Sequence, residues 1–201
     1  TTLFRSGKAW LKNFPDDEKA SEVLVAIMSA SARNQDFKNA EYYFERLTGD
    51  FGFLEISKQA MIDYGDALRF SKAKRAVDLY KRALFETKNL ETASIAAFKA
   101  ADTYLSMGDT ENAKEYYGKI LKGNMGFITK DPEKAYSFAK KLAGAFIFSQ
   151  AIEVGETTLP KLNKKSESYE ALLSDLGDWA AALGDSEKAK ANYKRYLTEY
   201  P

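Results

Sequence analysis

Gly118 and Gly123 have the G-x4-G spacing of a loop that cradles phosphates. Such a loop needs a lysine and then a Ser or Thr directly afterwards, to meet phosphate and magnesium. Asn124 and Met125 follow instead, so that chemistry is missing. Asp16, Asp17 and Glu18 gather three carboxylates, as a cation site would, but consecutive residues point in three directions around a helix start. Their ordinary role there is to cap free N–H groups and complement the helix dipole. Asp131-Pro132-Glu133 reads the same way, with proline at the first helical position. Arg69, Lys72, Lys74, Arg75, Lys81 and Arg82 crowd around a single acid, Asp78. They suit an acidic partner or a lipid headgroup, though the simpler reading is a solvated helix face with a basic turn. Lys161, Lys164 and Lys165 form a looser cluster after Pro160. No basic stretch interleaves aromatics as single-strand nucleic-acid binders do.

The 201 residues include no His and no Cys. That removes disulfides, thiolate nucleophiles, Cys/His zinc sites, imidazole bases and histidine pH switches. With no other nucleophile motif in sight, the chain is expected to be no enzyme and to need no cofactor and no metal. Thirty Lys and Arg face twenty-nine Asp and Glu, a formal charge of +1. The chain as a whole therefore has no electrostatic pull toward nucleic acid or anionic membrane. Hydrophobic residues make up 45% and charged residues 29%, the balance of a folded chain. The longest apolar run, Leu142 to Phe148, falls far short of the roughly 18 residues that cross a bilayer. Absence of cysteine fits the cytosol and a bacterial periplasm equally. Beginning at Thr1-Thr2-Leu3, the chain is expected to be processed or cut from a longer one.

The positioning elements repeat. Alanine, an aromatic four residues on, and usually a bulky apolar residue three further recur as Ala40, Phe44, Leu47; Ala76, Tyr80, Ala83; Ala113, Tyr117, Ile120; and Ala189, Tyr193, Tyr196. Spacings of four and three place each set on one helix face. Gly108-Asp109 and Gly184-Asp185 precede two of these helices, and Gln35-Asp36 precedes another. A left-handed residue ends one helix there and the Asp caps the next. The unit is thus helix, tight turn, helix, with small residues on the first helix and aromatic knobs on the second. Pro15 and Pro201 close helices in similar contexts, five units of about 37 residues apart. Eleven helices are expected: 3–13, 17–33, 36–48, 53–70, 72–86, 90–107, 109–122, 131–146, 149–158, 165–183 and 185–200. Residues 122–130 are expected to form a loop holding the extra length.

These residues resemble the tetratricopeptide repeat (TPR). Its small residue, turn glycine, alanine, aromatic and closing proline correspond here to Leu176, Gly177, Gly184, Ala189, Tyr193 and Pro201 in the last unit. Ala101, Tyr104, Gly108, Ala113 and Tyr117 correspond in the unit around residue 113. Units around Ala40 and Ala76 match best in their second helices, and in the unit from 132 to 165 Gly155 replaces the aromatic. The resemblance implies an all-α, right-handed superhelical solenoid. It would be one array over 1–201, with a half-unit at 3–15 and repeats at about 21–54, 57–90, 94–127, 132–165 (divergent) and 170–201. Leu3, Phe4, Trp10 and Leu11 at one end, and Tyr196 and Tyr200 at the other, are expected to lack a stacking neighbour and to allow self-association.

The resemblance also implies function. A non-catalytic scaffold would bind partner proteins along a concave groove lined by the first helix of each unit. At the fifth and ninth positions stand Val25/Ser29, Met61/Gly65, Phe98/Asp102, Tyr136/Lys140 and Ser174/Asp178. None is the Lys/Asn pair with which the chaperone-tail class grips a terminal carboxylate. Met61, Leu68, Phe98, Leu105 and Tyr136, bordered by Asp102 and Lys140, are the expected partner-binding residues, although core packing explains the same pattern. The ending Tyr-x-x-Tyr-Leu-x-x-Tyr-Pro is similar to arrays of bacterial envelope proteins. A periplasmic scaffold is therefore expected first, flagellar-motor complexes included. The alternatives are a cytosolic peptide-binding regulator and the docking arm of a larger enzyme. The partner is expected to be a protein or peptide, with no nucleic acid and no membrane insertion.

Overall fold

The computed structural model describes residues 2–14 and 17–201, and side chains from Arg5 onward. Pro15, Asp16 and the side chains of Leu3 and Phe4 lie outside the described residues. Among the described residues there are eleven α-helices and no strand. They are α1 Thr2–Asn13, α2 Ala20–Arg33, α3 Phe37–Phe51, α4 Glu55–Leu68, α5 Ala73–Glu86, α6 Leu90–Ser106, α7 Thr110–Thr129, α8 Pro132–Gly144, α9 Phe148–Thr158, α10 Glu167–Leu183 and α11 Ser186–Glu199. A short 3-10 turn, Leu159–Lys161, follows α9. The fold class is all-α, built of the helix–turn–helix pairs expected from the repeat. Two units divide the chain, the first ending at Met107 and the second running Gly108–Pro201.

The turns follow the chemistry written in the sequence. Gly108 and Gly184 take left-handed backbone at φ 78° and 86°, and Gln35 does so at 59°. Asp36, Asp109 and Asp185 then cap α3, α7 and α11, accepting from the N–H groups of Asn39, Asn112 and Lys188. Asp131 caps α8 with Pro132 at its first turn. Hydrogen bonds from Asn39, side chain and backbone, hold the Asp36 carboxyl below the usual range. The N–H and side chain of Lys134 do the same for Asp131. In the α8–α9 turn Phe146 occupies the left-handed position at φ 60°, where a side chain costs strain that glycine avoids.

Residues 122–130 are not a loop. Helix α7 runs on to Thr129, broken only at Asn124, whose φ of −156° and ψ of 62° kink it. Ile128 and Thr129 beyond the kink are buried. The Lys161 ammonium donates to the Thr129 hydroxyl (2.7 Å) and carbonyl (3.3 Å). Burial and a cation on the helix C-terminus hold the extra turn in helical form. A similar arrangement ends α3: the Ser57 hydroxyl donates to the Phe51 carbonyl (2.7 Å) and the Lys58 ammonium to that of Gly52.

Three copies of the repeated triplet, at Ala40, Ala76 and Ala113, are fully buried. The fourth differs. Ala189 is buried, Tyr193 is 37% exposed and Tyr196 half-buried. The end residues also depart from expectation. Leu11 is buried and Trp10 half-buried. The Tyr196 and Tyr200 hydroxyls are engaged, donating to Glu170 (3.0 Å) and to the Lys164 carbonyl (3.1 Å). The surface of α11 is instead carried by Leu197, 67% exposed. Where Gly155 replaces an aromatic, α10 moves in. A Cβ there would meet Leu176 at 2.9 Å and Leu172 at 3.1 Å, so side chains of the next helix occupy the place of the missing ring.

Candidate functional site

In the first unit, α2, α4 and α6 are the first helices of successive pairs, and α4 packs against both of the others. Small residues let them approach: Ala60 on α4 and Ala96, Ala97, Ala100 and Ala101 on α6 are all buried. Two carboxylates tie α4 to its neighbours α3, α5 and α6. Glu41 accepts from the Tyr64 hydroxyl (2.9 Å) and from Arg75 (2.6 Å), joining α3, α4 and α5. Asp66 accepts from the Tyr80 hydroxyl (2.7 Å) and from the Lys99 ammonium (2.7 and 2.9 Å), joining α4, α5 and α6. Burial, and then the hydrogen bond to a carboxylate, push the Tyr64 and Tyr80 phenols well above the ordinary tyrosine range. Both are therefore neutral donors at any physiological pH.

A cleft of about 260 Å³ remains open between α2 and α4, lined by Met28, Ser29, Ala32, Arg33, Asp63 and Ala67 among others. Its floor is apolar, while Arg33 and Asp63 give its rim both signs of charge. Gln59 donates to Asp63 at 2.9 Å. Ser29 is one of the positions that the repeat pattern assigns to the binding groove, and Ala67 is exposed. The geometry suits a polypeptide segment with a small apolar residue and flanking charges.

The predicted groove residues divide. Met61 and Leu68 are fully buried, so they build the core and offer a partner no surface. Phe98, Asp102 and Leu105 are half-buried on α6. In the second unit Tyr136 is buried, its hydroxyl donating to Asp175 on α10 at 2.8 Å. Burial and that bond raise its pKa too. Lys140 is exposed and sets its ammonium 4.4 Å from the centre of the Tyr136 ring. Tyr136 is thus a packing and register residue of α8, and Lys140 covers it.

A larger cleft, about 730 Å³, lies between α7 and α9, lined by Lys114, Glu115, Lys119, Lys122, Gln150 and Glu153 among others. Gly118 makes room there: a Cβ would stand 3.1 Å from the Gln150 amide, which donates to the Lys114 carbonyl (2.8 Å). Gly118 and Gly123 both lie in helix α7, so their spacing is not that of a phosphate loop. The cleft's charges pair locally, Lys114 with Glu111 at 3.0 Å and Lys119 with Glu115 at 2.9 Å. Among the described residues no group of three or more Asp or Glu is placed to hold a metal ion. No helix among them is long and apolar enough to cross a membrane.

The basic segment folds against the preceding turn, a contact no spacing in the sequence announces. Lys72 sets its ammonium 5.4 Å from the Phe37 ring, which brings the α2–α3 and α4–α5 turns together at one edge of the first unit. Phe70, in the α4–α5 turn, is 90% exposed. The run Arg69-Phe70-Ser71-Lys72 was the available signal, and only the exposure of the ring was illegible.

Two stretches of the chain, 94–124 and 167–201, match models of the tetratricopeptide repeat. No curated protein matches the chain. Among solved structures, BtubC (BKLC) from P. vanneervenii is similar at a TM-score of 0.58 and 16% identity, over 98% of this chain and 88% of that one. Nearly identical TPR-like repeats from Podosopora anserina give 0.56 and 13%, over 91% and 96%. PilF of Pseudomonas aeruginosa gives 0.54 and 16%, over 100% and 91%. At these identities the likeness is one of fold.

Proposed function

We propose that this chain, a tetratricopeptide-repeat protein, works as a non-catalytic scaffold that holds partner proteins, with the face of its first helices as the contact surface. The observation that carries this reading is the open α2–α4 cleft. It presents half-buried Ser29 on α2 and exposed Ala67 on α4, a helix that two carboxylates tie to α3, α5 and α6. A rigid, small-residue cleft with mixed charge at its rim binds a segment without having to reorganise, which favours affinity. Its setting is a bacterial cell-envelope complex, periplasmic in location, with a flagellar-motor assembly among the candidates. The Tyr-x-x-Tyr-Leu-x-x-Tyr-Pro ending supports that setting, and the absence of cysteine is compatible with it.

The test is affinity capture with the intact chain as bait, from periplasmic and cytosolic extracts, beside the variants Ser29→Arg and Ala67→Arg. Each variant fills the cleft from a residue outside the core. An envelope protein retained by the parent and lost with both variants supports the reading. A partner retained equally by all three places the contact elsewhere, and one found only in the cytosolic extract overturns the periplasmic setting.

A further inference from the structure

The joined α2–α3 and α4–α5 turns carry Arg33, Lys38, Arg69, Lys72, Lys74 and Arg75, with Asp36, Glu41, Asp63 and Asp66 as the nearby carboxylates. Asp66 is held by Lys99 at 2.7 Å, and Asp63 accepts from Gln59 at 2.9 Å. Asp36 caps α3, and Glu41 is held by Arg75 at 2.6 Å. Arg33 donates to its own helix, at the Ser29 carbonyl (3.3 Å), and shares the cleft rim with Asp63 and Asp66. Although the chain is nearly neutral overall, this edge sets six cations against four carboxylates, and Lys99 already holds one of those, Asp66.

From that edge Phe70 protrudes into water. Arg69 lies against its ring, 4.7 Å from the centroid. The ring has no part in making the turn. The N–H groups of Ser71 and Lys72 close it by bonding to the Leu68 carbonyl at 3.0 and 2.7 Å. An aromatic that packs on nothing larger than one guanidinium, at the tip of a basic edge, exposes apolar surface with no gain in folding.

We propose that this edge docks on an anionic lipid bilayer, with Phe70 entering the headgroup region and the surrounding cations meeting lipid phosphates and carboxylates. Charge complementarity names the partner's sign, and the shape of the edge names its kind. A protruding ring needs a surface that yields around it, and a fluid interface accepts an aromatic at headgroup depth while flanking Lys and Arg stay at the charged layer. Long lysine stems allow that geometry without fixing an orientation. The docking is peripheral and uses no spanning helix. It goes beyond the scaffold function and shares only Arg33 with the α2–α4 cleft.

Co-sedimentation of the intact chain with vesicles tests it, comparing phosphatidylcholine alone with a 7:3 mixture of phosphatidylcholine and phosphatidylserine, at low and high salt. Binding is expected only to the anionic vesicles and to weaken with salt. Phe70→Ser should weaken it about tenfold, and Lys38→Ala and Lys74→Ala roughly fivefold each. All three should melt with the parent, so a loss of binding is not a loss of fold. Equal binding to both vesicles, no binding, or binding that the three variants leave intact overturns the proposal. So does Phe70-dependent retention on a poly-glutamate resin without vesicle binding, which would make the occupant an acidic polypeptide.

Discussion

Gly65 and Tyr80 share one space: a Cβ on Gly65 would stand 2.5 Å from Cε1 of the Tyr80 ring. The same relationship returns at Gly177 and Tyr193, again at 2.5 Å. In both pairs the hydroxyl of that tyrosine then reaches an acid one residue beyond the glycine, Asp66 or Asp178, at 2.7 Å. Glycine on the first helix lets the aromatic knob of the second lie flat against backbone, and the carboxylate fixes its far end.

Gly65→Ala is expected to destabilise the chain by about 1–3 kcal/mol, because Tyr80 is fully buried and has nowhere to go. Gly177→Ala should be near neutral. Tyr193 is partly exposed and can move aside, and the better helix propensity of alanine, about 1 kcal/mol, offsets the displacement. Paired thermal melts check the difference.

Ala113→Leu should cost about 1–3 kcal/mol by overpacking, since Ala113 is fully enclosed. Ala189→Leu is expected at the low end of that range, because the ring beside it, Tyr193, is open to solvent. Urea midpoints at equal slope read both.

Phe146→Gly should stabilise by about 1 kcal/mol, as it relieves a left-handed backbone at φ 60° that carries a side chain. The loss is one edge-on contact with Phe148 at 6.0 Å between ring centres. A melting temperature below that of the parent would show that this ring pair holds the turn.

Stability should fall at alkaline pH. Burial first, and hydrogen bonds to carboxylates second, raise the folded-state pKa of Tyr64, Tyr80 and Tyr136 above the unfolded value of about 10. The unfolded chain therefore loses these protons first. The stabilisation is complete below pH 10 and is progressively lost above it. Denaturant unfolding from pH 8 to 11.5 should show a plateau and then a decline. Tyr80→Phe should lower the plateau by about 1 kcal/mol and make the decline shallower.

The helix pairs, their order and most of their turns were legible because glycine and aspartate act locally: Gly108, Gly184, Asp36, Asp109 and Asp185 do what their own backbone chemistry requires. Phe146 in a glycine-type position left no local mark, since phenylalanine is disfavoured there. Residues 122–130 read as a loop from composition alone, whereas burial of Ile128 keeps the chain helical beyond Asn124. The burial of Met61, Leu68 and Tyr136 was illegible for a different reason. A first helix touches neighbours on several sides, so its apolar pattern is the same whether a residue meets a partner or the core, and Met61 and Leu68 meet the core. The carboxylates that set register join helices far apart in sequence, as Asp66 does with Lys99, and no spacing rule announces such pairs.

Site-specific photocrosslinking in the cell of origin, with the probe at Ala67 on the α4 face or at Asp78 on α5, tests the scaffold reading most directly. The cleft-facing probe should yield discrete protein adducts that Ser29→Arg abolishes, and the α5 probe should yield none. Adducts from Asp78 alone, or from neither position, would contradict a partner seated on the first helices.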